Sequence, residues 1–258
     1  MVPEFVLFAI VGFLAQLVDG ALGMAYGVVS SSVLLSFGVP PATASASVHA
    51  AEVFTTATSA GTHIANKNVN WRLFAILAPA GIIGGVLGAY VLTSFEGQVL
   101  RPYVTAYLAV MGLYILYRAF FRAVTIDEHK ISLVVPLGAI GGFVDAAGGG
   151  GWGPVVTTGL VGAGGTPRHV IGTVNTVEFF LTLAVSVAFI TALLTGHWSE
   201  AEGITDHLIA VGGLIVGGVC AAPLAGTIVR LVPARGLMFA VGLLILTLAA
   251  YQTWQLLR

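Results

Sequence analysis

The chain carries one glycine-rich motif twice, at a constant spacing of 126 residues. The first copy reads D-G-A-L-G-M-A-Y-G from Asp19, and the second reads D-A-A-G-G-G-G-W-G from Asp145. An acid follows each copy at the same distance, Glu52 in the first half and Glu178 in the second. Carboxylates within apolar segments are costly and mark functional sites. Glycine-interrupted apolar segments in matching halves point to a binding site between those halves.

The composition indicates an integral membrane protein. Apolar residues make up 57% of the chain, only 8% are charged, and the mean hydropathy is +0.99. A soluble domain has roughly 25% charged residues. The net charge of −1 gives no indication of nucleic-acid binding. We expect a multi-pass protein in contact with lipid, in a cell membrane such as a bacterial plasma membrane, without nucleic acid or cofactor.

The apolar segments divide into two equivalent sets. Each half has three segments that can form a membrane-spanning helix of about 20 residues. Before each set lies a pair of shorter segments separated by the glycine-rich motif. They are 3–18 and 24–37 within residues 3–37, and 131–144 and 152–161 within residues 131–161. The predicted spans are 42–62, 73–93 and 102–120 in the first half, and 168–194, 207–225 and 234–257 in the second.

The two broken pairs are predicted to be helical hairpins. A limb of 14 residues reaches only about 21 Å, short of a hydrocarbon core of roughly 30 Å. Irregular backbone at membrane depth is tolerated only when protein or a watery cavity surrounds it. We therefore expect an all-α membrane protein with two repeats, 1–121 and 131–258, joined by a linker at 122–130.

The positive charges predict that the repeats are inverted. If each repeat is a hairpin plus three spans, only Arg101 and Arg258 of the 10 Lys and Arg residues fall outside. If each broken pair is instead one discontinuous span, four of them do. Because Lys and Arg concentrate on the cytoplasmic side, we favour inversion, with both termini outside and the linker cytoplasmic. The oligomeric state stays open between a monomer and a homodimer.

Polar side chains form one face along the first long span. His49 and Glu52 lie on it with Ser45, Thr56, Ser59 and His63, at intervals of three and four residues that repeat on one side of a helix. A polar face within a membrane must contact protein or water. The matching positions in the second half include Asn175 and Glu178. We expect both helices to meet beside the hairpin tips.

Structural roles compete with these functional ones. Asp19 and Asp145 can cap the following half-helix, because aspartate accepts hydrogen bonds from unpaired backbone N–H groups. Tyr26 and Trp152 are paired aromatic residues at the hairpin tips, where they are expected to act as wedges or gates. His49 alone would be a buried histidine with a structural partner, but its position three residues before Glu52 favours a site.

With these residues assembled, the chain resembles the sulfite exporter TauE/SafE family of membrane proteins. The likeness rests on G-G-F-V-D-A-A-G-G-G-G-W-G-P at 141–154, P-R-H-V-I-G-T-V-N-T-V-E-F-F at 167–180 and N-V-N-W-R-L at 68–73. It covers essentially the whole chain. The resemblance implies a transporter that exports, or in some members takes up, small sulfur-containing anions such as sulfite, sulfoacetate or other organosulfonates. It does not identify the substrate.

An anion site must here work without a lysine or arginine inside the membrane. Half-helix N-termini offer free N–H groups and a partial positive charge, and Gly23, Gly149 and Gly151 allow close backbone approach. Asn175 and a protonated His49 can add donors, and Arg168 can attract an anion from the cytoplasmic side. The carboxylates are then expected to carry protons, which makes the proton a candidate coupling ion.

Two other functions remain open. One is a proton-coupled cation or metal transporter with the carboxylates and His49 as ligands. The other is an intramembrane enzyme, against which stands the absence of a G-x-S-x-G or H-E-x-x-H motif. A duplicated site suits alternating access between the two sides of a membrane, so we expect a transporter and no enzymatic activity.

Overall fold

The computed structural model describes residues 2–121, 131–162, 165–198, 207–231 and 234–258. These residues form helices and connecting turns without a β-strand, which confirms the prediction of an all-α protein. The predicted linker at 122–130 lies outside the described residues. The helices are α1 (Val2–Leu22), α2 (Tyr26–Ser36), α3 (Pro41–Ala65), α4 (Trp71–Thr93), α5 (Gly97–Phe120), α6 (Ile131–Gly148), α7 (Thr158–Gly162), α8 (Pro167–Leu194), α9 (Leu208–Leu231) and α10 (Ala234–Leu256), with a π-helical turn, Gly153–Thr157, leading into α7.

Several helices are suited to cross a membrane. Within the described residues, five are long and apolar enough: α1, α4, α5, α8 and α10. Four of them contain the predicted spans 73–93, 102–120, 168–194 and 234–257 almost entirely. The predicted span 42–62 lies in α3, which is 25 residues long but carries a row of polar side chains. The predicted span 207–225 corresponds to the first part of α9.

The first limb of the first hairpin is longer than the sequence predicted. We expected it to end near Val18, but α1 continues to Leu22 and has 21 residues, about 31 Å of helix. Gly20 is accommodated inside this helix because a single glycine costs only about 1 kcal/mol relative to alanine. Consequently Asp19 lies in the last turns of α1 and not in the break. Asp145 lies equivalently near the end of α6.

Both glycine-rich segments reverse the direction of the chain. The rings of Phe8 in α1 and Phe37 after α2 are 5.8 Å apart, so α2 returns along α1. At the second hairpin, a Cβ on Gly159 in α7 would meet the Leu137 side chain of α6 at 2.7 Å. We call residues 23–25 the first break and residues 149–152 the second break.

Each hairpin packs against the other repeat. Helix α1 packs along α9, and α6 packs along α4. Glycines make this contact close: a Cβ on Gly88 of α4 or Gly213 of α9 would collide with a backbone carbonyl of the facing helix. Small residues that bring helices together in this way are typical of membrane proteins. The long helices α3 and α8 pack against each other, as do α5 and α10.

Candidate functional site

The two breaks have matching backbone geometry. Gly23 has a φ of +66° and Gly149, its counterpart in the repeat, has a φ of +71°. Glycine adopts this left-handed conformation without the steric cost that a Cβ imposes. The second break also lies directly against the first turn of α2, because a Cβ on Gly27 would come within 2.8 Å of the Gly150 Cα atom. The tips of the two hairpins therefore meet inside the protein.

The aspartates of the motif cap the half-helices that follow the breaks. The Asp145 Oδ1 atom accepts hydrogen bonds from the backbone N–H groups of Gly151 and Trp152, at 2.7 and 2.8 Å. Asp19 accepts one longer bond, 3.4 Å, from the Tyr26 N–H group. The sequence correctly suggested this capping role. It follows that the N–H groups of Gly151 and Trp152 already bind a carboxylate.

Hydroxyl groups from each half-helix bind the break of the other repeat. The Ser31 hydroxyl of α2 donates to the Gly149 carbonyl oxygen. The Thr157 hydroxyl donates to the Gly23 carbonyl oxygen at 3.0 Å. Ser31 and Thr157 are themselves equivalent in the repeat, so these bonds form a reciprocal clasp. The sequence analysis missed both residues, although their shared 126-residue spacing was a usable indication.

His49 connects the polar face of α3 to the second break. Its ring is fully buried, with Nδ1 2.8 Å from the Ser45 carbonyl oxygen and Nε2 3.2 Å from Asp145 Oδ2. A carbonyl oxygen can only accept a hydrogen bond, so Nδ1 carries a proton. The second nitrogen, Nε2, thus faces a carboxylate from the other repeat. Within the described residues this is the only contact at ion-pair distance, and it is an ion pair when both ring nitrogens carry a proton.

Glu52 and Glu178 complete a cluster of four acids with Asp19 and Asp145. The two glutamates are buried, with 3% and 8% of their surfaces exposed. All four carboxylates are close enough to interact electrostatically. In the described part of the chain, neither glutamate carboxylate has a hydrogen-bond donor. Four negative charges at this depth are strongly unfavourable, so protons or a bound cation must offset them.

The remaining candidates lie farther from the His49–Asp145 pair. Asn175 is buried on α8 and donates through Nδ2 to the Ser59 hydroxyl at 3.1 Å, while its Oδ1 has no partner. It does not contact His49, its counterpart in the repeat. Arg168 is exposed at the start of α8, where it binds Asn68 and the Asn66 carbonyl oxygen. The structure therefore brings His49 and the four acids together, but not Arg168.

Comparison with known proteins identifies the family. The model for the sulfite exporter TauE/SafE family matches residues 8–252. The chain belongs to the sulfite exporter TauE/SafE family. It is similar to the probable membrane transporter protein YtnM of Bacillus subtilis (strain 168), at 42% identity over 88% of this chain and 75% of that protein. A second relative, the probable membrane transporter protein YdhB of the same organism, is 27% identical over 88% of this chain and 91% of its own length. No solved structure matches the chain.

This membership makes the protein a multi-pass membrane transporter. Both relatives are named as probable membrane transporters. Each repeat contributes two buried acids to the place where the two breaks meet. Transporter folds use such an interface between repeats, with its interrupted helices, for substrate and coupling-ion sites.

In this TauE/SafE protein the paired aromatic residues anchor the half-helices. The Tyr26 hydroxyl donates to the Leu214 carbonyl oxygen of α9 at 3.0 Å. Trp152 donates through Nε1 to the Val174 carbonyl oxygen at 3.2 Å, and a Cβ on Gly81 would meet its ring at 2.6 Å. Both side chains are buried. They are wedges between helices in this conformation.

Tyr107 is a site residue that the sequence did not reveal. Its hydroxyl, carried by α5, donates to the Gly150 carbonyl oxygen at 2.6 Å. A Cβ on Gly151 would collide with this same hydroxyl. Gly151 is therefore required beside Tyr107, because any larger residue would collide with the Tyr107 hydroxyl. Tyr107 in turn binds the second break from α5.

A large cavity lies away from these residues. It has a volume of about 660 Å³ between α4 and α8 and is lined mainly by apolar side chains, among them Val86, Phe180 and Val187. None of the four acids lines it. Its mainly apolar lining offers few polar groups that could orient a small anion.

Proposed function

We propose that this transporter exports small sulfur-containing anions, such as sulfite, sulfoacetate or other organosulfonates, by alternating access. The observation that carries the proposal is the buried cluster of His49 and four acids where the breaks of both repeats meet. It is supported by the family, whose description names sulfite export. The substrate binds near the middle of the membrane, between the two repeats.

The packing of the repeats supports a rocking movement. Helix α1 of the first repeat packs on α9 of the second, and α6 of the second repeat packs on α4 of the first. Each hairpin therefore forms one packing unit with helices of the other repeat. The long helices α3 and α8, which carry Glu52 and Glu178, pack against each other between these units. An inverted relation of the two repeats then allows the site to open to one side and, by the equivalent movement, to the other.

Side chains rather than free half-helix N–H groups bind the anion. The N–H groups of Gly151 and Trp152 bind Asp145, so they are not free in this conformation. The buried groups that can donate include a doubly protonated His49 and the Asn175 amide, whose oxygen and nitrogen exchange roles if the amide rotates by 180°. The unpaired hydroxyl groups of Ser30, Ser32 and Thr158 are further donors. Protons on Glu178 and Asp19 lower the repulsion that a bound anion meets, which couples anion movement to protons.

A second function is favoured by the same cluster. His49, Glu52 and Asp145 offer three ligand atoms that all lie within 4.8 Å of one another. With four acids and no Lys or Arg among the partners described for them, the cluster also suits a cation as cargo. A proton-coupled cation transporter is therefore the alternative.

Flux measurements with purified protein in liposomes separate the two. The panel contains sulfite, sulfoacetate, taurine and a set of divalent metal ions, each loaded inside and followed as efflux. The anion proposal expects protein-dependent flux of at least one sulfur-containing anion, abolished in a Glu52→Gln, Glu178→Gln double variant. Flux of a metal ion with no flux of any anion would establish the alternative instead.

A further inference from the structure

The protonation of His49 leaves its second nitrogen facing a negative charge. The proton on Nδ1 is fixed by the Ser45 carbonyl oxygen at 2.8 Å. In a neutral ring Nε2 then presents a lone pair to Asp145 Oδ2, only 3.2 Å away. Two acceptors at this distance repel each other, so either a proton on Nε2 or a metal ion must lie between them. Metal-binding histidines have this arrangement, with the non-ligating nitrogen donating to a carbonyl oxygen.

Glu52 supplies the third group. It lies three residues after His49 on α3, and its carboxylate belongs to the set of three ligand atoms within 4.8 Å of one another. Glu52 is 97% buried, and among the described residues its carboxylate has no hydrogen-bond donor. A buried carboxylate without a donor is unfavourable on its own. It therefore requires, independently of His49, a proton or a cation that offsets its charge.

The distances suit one ion. Metal–nitrogen and metal–oxygen bonds of about 2.0–2.2 Å place two tetrahedral ligand atoms roughly 3.3–3.6 Å apart. The separation of 3.2 Å between His49 Nε2 and Asp145 Oδ2 is close to this range. The Glu52 carboxylate, within 4.8 Å of the other two ligand atoms, needs a small side-chain adjustment to bind the same ion. Asp145 Oδ1 can keep its bonds to the second break, because Oδ2 is the atom that faces His49.

We propose that His49, Glu52 and Asp145 bind one divalent transition-metal ion, with a fourth position open to an exogenous ligand. Imidazole and carboxylate ligands together suit zinc and its neighbours. Three protein ligands leave a vacant position, as in metal sites that bind a substrate. A sulfur or oxygen atom of a small anion is a suitable occupant of this position.

This ion would supply what the site otherwise lacks. It offsets the charges of Glu52 and Asp145 and gives an anion a positive partner where the described structure offers no lysine or arginine. The role of the open position rests on the proposed anion transport. The metal site itself does not, because it follows from the three side chains alone.

Titration with the metal alone tests the site. The full-length protein is purified with its affinity tag removed, treated with EDTA and titrated at pH 7.5 with Zn²⁺ by calorimetry and with Co²⁺ by visible absorption. We expect one ion per chain and the intense absorption bands of four-coordinate Co²⁺. His49→Ala and Glu52→Gln should each weaken binding by at least about 100-fold.

His63→Ala is the matched control. His63 lies on the same helix, is partly buried and binds the Asn68 side chain, but it is not one of the three ligands. It should bind Zn²⁺ as the wild type does. Size-exclusion profiles establish that each variant is folded, and Glu52→Gln serves if His49→Ala is not recovered. No binding to the wild type, or equal affinity in the wild type and His49→Ala, would overturn the metal site.

Sulfite efflux from liposomes made with the same preparations separates this inference from the proposed function. If efflux proceeds and the wild type binds no metal ion, the metal site is wrong and anion transport stands. If one ion binds with the expected variant effects but no sulfur-containing anion moves, the metal site stands and the proposed function is wrong. If both hold, EDTA on both sides of the membrane should slow sulfite efflux.

Discussion

His49 and Asp145 belong to different repeats, yet the His49 Nε2 atom lies 3.2 Å from Asp145 Oδ2 in the buried centre of the protein. Asp145 performs two tasks at once, because its other oxygen caps the second break. Any movement that separates the repeats must break the contact with His49 or carry the second break along with α3. This contact thus links the conformation of the break to the state of the site.

The unequal capping of the two breaks predicts unequal effects on stability. Asp145→Ala removes two short bonds to backbone N–H groups, whereas Asp19→Ala removes one bond of 3.4 Å. We expect Asp145→Ala to lower the free energy of unfolding by about 1–2 kcal/mol, and Asp19→Ala by clearly less. Thermal unfolding in detergent measures both. Equal losses would mean that the caps do not govern the stability of the breaks.

The reciprocal clasp should matter for stability although neither of its hydroxyl groups carries a charge. Ser31→Ala leaves the Gly149 carbonyl oxygen without its donor, and Thr157→Val does the same to Gly23. Each should cost about 1–3 kcal/mol, since a buried acceptor is left unpaired. Thr58→Ala is the control, because the Thr58 hydroxyl is exposed and bonds only within its own helix. A cost of the control as large as that of Ser31→Ala would contradict this account.

Glycine at the breaks should be irreplaceable. Gly149→Ala introduces a Cβ at a φ of +71° and against the Ser31 side chain. We expect loss of most transport activity and a lower thermal unfolding temperature. Gly61→Ala provides the comparison, because a Cβ on Gly61 in α3 would enter open space. This variant should transport as the wild type does, and a defect as severe as that of Gly149→Ala would remove the argument.

Glu178 of α8 should couple transport to protons. Glu178→Gln keeps the size and hydrogen-bonding capacity of the side chain but cannot exchange a proton, so transport should fall at least about tenfold and lose its pH dependence. Glu52→Gln should also impair transport. Glu96→Gln, at the exposed start of α5, should not. Unchanged flux and an unchanged pH profile in both the Glu52→Gln and the Glu178→Gln variant would show that these two glutamates have only a structural role.

The inverted topology remains a prediction from the distribution of lysine and arginine. Reporter fusions at Arg258 and within the linker 122–130 should report opposite sides of the membrane, with the linker cytoplasmic. A glycosylation or phosphatase reporter at each position gives the answer. Both reporters on the same side would contradict the inverted arrangement.

The repeat made much of the site predictable. The constant spacing selected Asp19, Asp145, Glu52 and Glu178, and the structure brings their carboxylates within electrostatic reach of one another. The contact between His49 and Asp145 was harder to predict from the sequence. The repeat pairs His49 with Asn175, and pairing in the repeat does not require contact in space.

Other features depend on packing that a linear pattern does not contain. Tyr107 contacts the second break because α5 passes beside it, and nothing in the motif indicates this neighbour. The length of α1 was underestimated because the glycine-rich sequence suggested an early break, whereas α1 packs along α9 and continues to Leu22. The role of the half-helix N–H groups likewise depends on the orientation of Asp145, which occupies two of them.

The most direct test of the account is sulfite counterflow in liposomes that contain the purified transporter. Liposomes are loaded with unlabelled sulfite, diluted into trace labelled sulfite, and compared with liposomes that carry the Glu52→Gln, Glu178→Gln double variant. The account predicts transient accumulation of label with the wild type, absent from the double variant and competed by sulfoacetate. Equal accumulation by the wild type and the double variant, or none with any sulfur-containing anion while a metal ion exchanges readily, would contradict it.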